Sequence, residues 1–501
     1  MPLHSRGSPP EPGRKNITII HPDLGIGGAE RLILDVALTL QTRGHRVTIY
    51  TSHRDPSHCF EEARDGTLDV KIRGNTIFPA HVKGRLHVLM AVLRQLHLVV
   101  ELVLERRRNN GIRGDSTDEE KTSDDVFIID QVPACVPVLR LFASDIFSSV
   151  RAKGRERILF YCHFPDQLLA RRDEGSLLLR RLKGLYRYPF DWFEGWAMSG
   201  ADTIVANSRF TCGVVKQVFG NGLGNVRVLY PCVDTSPKPL EQERGQLPHG
   251  EGPLWDGQKI LLSINRFERK KNIELAIKSY HALGDGDRKG TRLVIAGGYD
   301  NRVQENVQYH RELDSLASSL GLQTATSKTV VSALSIPESI DVLFLLSVPS
   351  AFKQTLLACA TLLLYTPSHE HFGIVPVEAM HAGLPVLAVN TGGPLETISE
   401  GETGWLRDGD SIEQWTEIIK KVLRGMDANE LERMGKRGQE RVEQHFSLRA
   451  LGDRLEEEIG NMTQSPRSTF MGAQQIIAIL ASIGLGAAVL AVMALSVGSR
   501  R

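Results

Sequence analysis

The chain has 501 residues, with 60 Lys and Arg against 59 Asp and Glu. A single hydrophobic core seldom grows past ~250–300 residues, so two domains are expected. The near-neutral balance excludes broad nucleic-acid binding, which needs a basic face.

Taken in chain order, residues 1–14 form a polar, Pro- and Gly-rich tail without the apolar core of a signal peptide. Residues 15–235 then alternate β-branched runs with helical patterns. Strands are predicted at Asn16–Pro22, Arg46–Ser52, Val126–Val132, Arg157–Pro165 and Asp202–Ser208, with a helix at Ala29–His45. Strand, helix, strand at this spacing means parallel βαβ units. Two segments fit less well. Gly84–Glu105 is strongly apolar but carries Arg94 and Glu101, which argue against a span. An amphipathic helix on a membrane and a core helix both stay open. Residues 106–125 are charged and poor in apolar side chains, so they read as a disordered insertion.

A linker rich in Pro, Gly and charge, 236–257, leads to a second domain, 258–460. Its strands are predicted at Lys259–Arg266, Arg292–Gly298, Val342–Val348, Ala360–Pro367 and Pro385–Asn390, with a helix at Asn272–Leu283. The fold class is therefore α/β, with two Rossmann-like doubly wound domains. After a second linker, 461–475, residues 476–497 carry no charge. As a helix they would reach ~33 Å, enough to cross the hydrocarbon core. A C-terminal transmembrane helix is expected, with the bulk of the chain cytosolic. The six cysteines form no CxxC pair and read as reduced thiols. The sequons at Asn16 and Asn461 would then go unused.

Sheets of this kind bind ligands at the carboxyl ends of their strands. The first such turn is HPDLGIGGAER, His21 to Arg31. Glu30 stands where a dinucleotide fingerprint wants glycine, which disfavours a nicotinamide site. Gly27 and Gly28 make either a plain tight turn or a close approach of backbone amides to phosphate. Arg266 and Lys271 follow a strand and could converge on one pyrophosphate, although loop cations are commonly just solvated. In PSHEHFGIVPVEAM, Pro367 to Met380, Glu370 falls in a strand's exit loop and Glu378 in the following helix. The amides of His371, Phe372, Gly373 and Ile374 lie at that helix's N-terminus, where phosphate is favoured. Two carboxylates so spaced are weak evidence alone. Beside Arg266 and Lys271 they point to one extended ligand. His163, at another strand end, reads equally well as structural or functional. Asp285-Gly-Asp287 and Asp408-Gly-Asp410 read as turns, and no Cys/His group has zinc spacing.

GIGGAER, RFERKK and EHFGIVPVE together resemble the retaining GT-B glycosyltransferases of nucleotide-sugar family 4. FYCHFPD, SINRFERKKN, AGGYDNRV and YTPSHEHFGIVPVEAM narrow the resemblance to the eukaryotic α-1,3/α-1,6-mannosyltransferases of dolichol-linked oligosaccharide assembly. It runs from Lys15 to Glu458 and leaves the 106–125 insertion outside. The resemblance implies two domains facing a cleft, GDP-mannose as donor, and neither metal nor other cofactor. The implied acceptor is Man-GlcNAc2-diphosphodolichol at the cytosolic face of the endoplasmic reticulum membrane, extended by an α-1,3 and then an α-1,6 mannose. Arg266 and Lys271 would bind the donor diphosphate, Glu378 the ribose, and Glu370 hydroxyls of the mannose. Gly27 and Gly28 would face donor phosphate and acceptor, and His163 would sit beside the reacting sugar. Asn207, Ser208, Gly297 and Gly298 would line the cleft. Neighbouring glycosyltransferases of the pathway are the implied protein partners. The alternatives are another lipid-linked glycosyltransferase using a UDP-sugar, or a membrane-anchored scaffold without activity.

Overall fold

Runs such as NITIIH and RILFYC carry large apolar side chains on both faces, the pattern of strands covered by helices on each side. The computed structural model describes residues 13–82, 86–112, 125–142, 156–169, 177–235, 254–466, 470–472, 474–479 and 481. It packs the chain into two units, 1–229 with 451–501, and 230–450. The expected joins were 236–257 and 461–475. Residues 236–253 lie outside the described residues, whereas Leu254–Gly257 is a short 3-10 helix that buries Trp255.

The first unit holds a seven-stranded parallel sheet. Its strands are β1 (Asn16–His21), β2 (Arg46–Thr51), β3 (Asp69–Ile72), β4 (Asp125–Asp130), β5 (Arg157–Cys162), β6 (Thr203–Ala206) and β7 (Arg227–Val228). They lie in the order β3-β2-β1-β4-β5-β6-β7, so the order reverses between β1 and β4. The register is tight there, with Ile19 opposite Ile128 and Ile20 opposite Ile129. Ile17, Ile19, Ile20 and Val126 to Ile129 are all buried. Each such side chain contributes about 1.5–3 kcal/mol by leaving water.

The first ambiguous segment is a helix, His87–Ile112. Among the described residues it contains the one stretch, His87–Arg106, long and apolar enough to cross a membrane. Yet Leu98, Val99 and Leu102 are fully buried against Ile20, Phe127 and Ile129, so one face belongs to the core. Gln95 anchors that face with its amide, donating to the Val132 carbonyl at 2.5 Å and accepting from Cys135 N–H at 3.0 Å. Residues 106–112 of the insertion expected at 106–125 are helical. The helix runs on through Arg106 to Ile112, and Arg106 stacks on Phe127 and donates to Thr18 and Asp125. Those contacts order a segment whose composition looked wholly solvated. Residues 113–124 lie outside the described residues.

The second unit holds another seven-stranded parallel sheet. Its strands are β8 (Lys259–Ile264), β9 (Thr291–Gly297), β10 (Thr324–Ser327), β11 (Val342–Leu346), β12 (Leu362–Tyr365), β13 (Val386–Val389) and β14 (Gly404–Arg407). The order is β10-β11-β9-β8-β12-β13-β14, with the reversal between β8 and β12. Cores cover both faces, one around Phe267, Tyr280 and Trp415, the other around Phe352, Leu356 and Phe446. Asp408 accepts from Asp410 N–H in a local turn, as expected, whereas Asp285 and Asp287 lie in the short helix Gly284–Arg288 and pair with Arg288 and Lys420.

The chain returns to the first unit through the helix Leu448–Gln464. His45 and Arg43 pair with Glu456 and Asp453 on that helix, and Arg227 with Glu458. Residues 474–479 are helical, and Ile476 is buried against Phe193, Trp196 and Leu141. Most of the expected transmembrane stretch, 482–497, lies outside the described residues. The six cysteines are unbridged thiols, four of them buried.

Candidate active site

Each unit gathers polar side chains at the carboxyl ends of the strands that flank its reversal, where doubly wound sheets bind ligands. In the second unit, β8 ends at Ile264 and hands over to Arg266, whose guanidinium is 68% exposed. A short 3-10 helix, Arg269–Lys271, then turns Lys271 inward. From β12, on the other side of the reversal, the exit loop brings Glu370, and the Lys271 ammonium bonds its carboxylate directly. Burial would push the Glu370 carboxyl up. Lys271 outweighs that, with help from His371 and the Tyr365 hydroxyl, and holds it below the usual carboxylate range. Tyr365 itself is buried, and its phenol is pushed well above its ordinary value by burial and by Glu370.

The helix Ile374–His381 starts after Gly373, which adopts the left-handed region as its cap. A glycine at that position offers no side-chain cap, and a helix N-terminus of this kind favours an anion. Phe372 is buried against Tyr230 and Phe446, which makes its ring a fixed support of the loop. Glu378 lies on the second turn. Its Oε1 accepts from the Lys353 ammonium at 2.6 Å, while Oε2 is buried without a hydrogen bond. Lys353 and the glycine pair Gly392-Gly393 were not singled out from the sequence. Gly393 N–H donates to the Glu370 carbonyl at 2.8 Å, and a Cβ on Gly393 would lie 2.2 Å from the Phe372 carbonyl oxygen. The "TGGP" turn was the available signal. Gly297 ends β9 beside β8, where a Cβ would lie 1.8 Å from the Asn265 carbonyl oxygen. Gly298 follows, its carbonyl accepting from Phe267 N–H.

In the first unit the reversal carries a different set. His21 ends β1, Asp130 ends β4, and His163 follows β5 by one residue. Asp130 is fully buried and takes both histidines: His21 Nδ1 at 2.7 Å on one oxygen and His163 Nε2 at 2.7 Å on the other. Burial would raise the Asp130 carboxyl, but His163 and His21 hold it low. Burial would lower the His163 imidazole, yet Asp130 and the more distant Glu30 raise it above its ordinary value. Neither His21 nor Asp130 was among the residues marked from the sequence. The signal was the recurrence of one polar residue at the end of three apolar strands, in IIHP, IIDQ and YCHF.

Asn207 donates to the His163 carbonyl at 3.0 Å and so fixes that loop. Ser208 is buried and caps the helix Arg209–Phe219, its hydroxyl accepting from Thr211 N–H. Gly27 precedes the helix Gly28–Thr42, whose first turn carries Glu30. Among the described residues, no three His, Cys, Asp or Glu side chains are grouped as a metal ion would need.

Residues 249–441 match the family model of glycosyl transferases group 1, and residues 138–237 that of glycosyltransferase family 4. The chain is 48% identical over 463 residues to the alpha-1,3/1,6-mannosyltransferase of Neurospora crassa, covering 90% of this chain and 92% of that relative. It is 42% identical over 466 residues to the Saccharomyces cerevisiae protein of the same name, covering 90% and 85%. Among solved structures, sucrose-phosphate synthase from Thermosynechococcus elongatus aligns with a TM-score of 0.61 at 18% identity, over 90% of this chain and 99% of that one. A glycosyltransferase from Rickettsia africae aligns with a TM-score of 0.60 at 14% identity, over 91% and 100%. These likenesses support a two-domain GT-B α/β fold.

Proposed function

The chain belongs to the α-1,3/1,6-mannosyltransferase family, and on that premise we propose that it transfers mannose from GDP-mannose to Man-GlcNAc2-diphosphodolichol, first in α-1,3 and then in α-1,6 linkage. The observation that carries the reading is the pairing of Lys271 with Glu370 across the β8/β12 reversal. A cation for a diphosphate and a carboxylate for sugar hydroxyls stand side by side there, as a sugar nucleotide requires.

In this reading Arg266 and Lys271 bind the donor diphosphate, and the uncapped amides after Gly373 add to them. Arg266 offers a planar fork and Lys271 a point charge. Charge grows on the diphosphate as the glycosidic bond breaks. Preorganised donors at that place are each worth about 2.7–4 kcal/mol of transition-state stabilisation. Glu370 accepts hydrogen bonds from mannose hydroxyls, and Glu378, steadied by Lys353, accepts from the ribose. His163 stands beside the reacting sugar, and Gly27 and Gly28 belong to the loop that meets phosphate and acceptor. The proposal assigns the leaving-group charge to these side chains and routes no step through a metal.

A lipid-linked acceptor keeps its tail in the bilayer, so the enzyme works at the membrane surface. We assign the hold on the endoplasmic reticulum membrane to residues 476–497, with both units cytosolic. Deleting 476–497 should release the protein from membranes at high salt and alkaline pH. Unchanged retention would move the anchor elsewhere.

The test of function is a transfer assay with the full chain in lipid, GDP-mannose, a Man-GlcNAc2-diphosphate-isoprenoid acceptor and a chelator, with UDP-sugars in parallel. Two successive additions from GDP-mannose are expected. Transfer from a UDP-sugar alone would overturn the donor, and no transfer from any donor would favour the inactive scaffold.

A further inference from the structure

We propose that Asp130 and His21 are positioning residues for the transfer reaction: they fix His163 with its Nε2 proton on Asp130 and leave Nδ1 as the ring's working nitrogen. The inference rests on the place given to His163 above and adds the two residues behind it.

β1, β4 and β5 are neighbours, and their register brings His21, Asp130 and the residue after Cys162 to one edge. An ionised carboxylate can only accept hydrogen bonds. Both nitrogens on Asp130 therefore carry protons, which sets the tautomer of each ring. For His163 this leaves one free choice, whether Nδ1 is a lone pair or a second N–H. Asp130 favours the second by compensating the positive charge. Glu30 adds to this from the first turn of Gly28–Thr42.

His21 acts one step further back. It is fully buried, and its Nδ1 occupies the second oxygen of Asp130. That contact keeps the carboxylate from rotating and aims its other oxygen at His163. Its remaining nitrogen, Nε2, is buried without a hydrogen bond, 4.0 Å from Glu30 Oε1. The Tyr161 ring, centroid 4.9 Å away, also faces His163, and Asn207 holds the His163 carbonyl. Cys162, beside it in sequence, is buried, and burial keeps its thiol protonated.

Burying a carboxylate costs several kcal/mol before its partners offset it. Here the charge leads to a ring that is 21% exposed, at the end of a strand beside the reversal. A buried charge ending on one partly exposed nitrogen-bearing ring is an arrangement that fixes a proton for use.

The test measures kcat and KM for GDP-mannose against pH in the full chain, for H163Q, D130N, H21L and H21N. In D130N the amide must donate to one of the two rings and disturbs its tautomer. We expect kcat to fall ~10²-fold, the scale of a positioned proton donor, with KM moving far less. The alkaline limb of the profile should move to lower pH. H21L should shift the same limb, whereas H21N, whose amide nitrogen can replace Nδ1 on Asp130, should restore the wild-type profile. Should D130N fail to fold, the H21L and H21N pair still reads the effect. H163Q at wild-type rate would overturn the place of His163 itself. H163Q impaired, with H21L and any folded D130N keeping the wild-type limb and kcat, would overturn the positioning roles alone.

Discussion

The two sheets reverse their strand order at comparable points, and they equip those points in opposite ways. At β1/β4 the polar groups are sealed: His21 and Asp130 are fully buried, and only His163 reaches the surface. At β8/β12 the groups are open: Arg266 is mostly exposed, and Lys271 and Glu370 are partly so. A sealed network keeps its geometry because no partner ever leaves. An open pair is provisional, since an entering ligand can replace each partner with a phosphate or a hydroxyl. On the proposed function, the difference separates a residue held for one orientation from residues that bind and release a substrate in every cycle.

The largest expected break in this comparison is at Glu370. Glu370→Gln keeps the shape and removes the charge, and kcat should fall ~10²–10³-fold, as for loss of one preorganised group. Circular dichroism should stay unchanged. A rate within a few-fold of wild type would remove Glu370 from the site.

Next comes the contrast between the two cations proposed to bind the donor. Lys271→Ala strands a partly buried carboxylate, so urea unfolding should show a loss of ~1–3 kcal/mol. Arg266→Ala removes an exposed group and should stay within ~0.5 kcal/mol of wild type. Both should raise KM for the donor. Equal stability losses would mean that exposure does not separate the two roles.

Lys353→Met should act more gently, through Glu378. Steady-state kinetics should show donor KM raised ~5–10-fold with kcat retained, the loss of a hydrogen bond to a charged group. A change in kcat alone would place Lys353 elsewhere in the mechanism.

The smallest effect is in the pH dependence of unfolding, and its sign differs between the regions. The Glu370 carboxyl is held low, so its contribution is present above the ordinary carboxyl value and is lost as pH falls through the lowered one. The His163 imidazole is held high, so its contribution is complete below ~6.5 and is lost as pH rises through the raised value. Urea midpoints across pH should lose the acid-side dependence in Lys271→Ala and the alkaline-side dependence in His163→Gln.

Much of the fold was legible because the interior strands are long apolar runs. The four strands absent from the sequence reading, β3, β7, β10 and β14, are the four sheet edges. Edges are short and half solvated: DVKI, RV and TATS have few buried side chains, and GWLR opens on a glycine. In the second unit the proposed ligand-facing residues lie close together in sequence, within RFERKK and EHFGIVPVE, so they could be read as motifs. In the first unit the proposed site joins His21, Asp130 and His163, which are far apart in the chain. Only strand register brings them together, and register is not written in any single segment.

The most direct test titrates GDP-mannose into the full chain and follows binding by calorimetry in three forms. The account predicts that His163→Gln binds as wild type does, while the double variant Arg266→Ala with Glu370→Gln loses most of its affinity. Wild-type binding by the double variant would contradict the placement of the donor at the β8/β12 reversal.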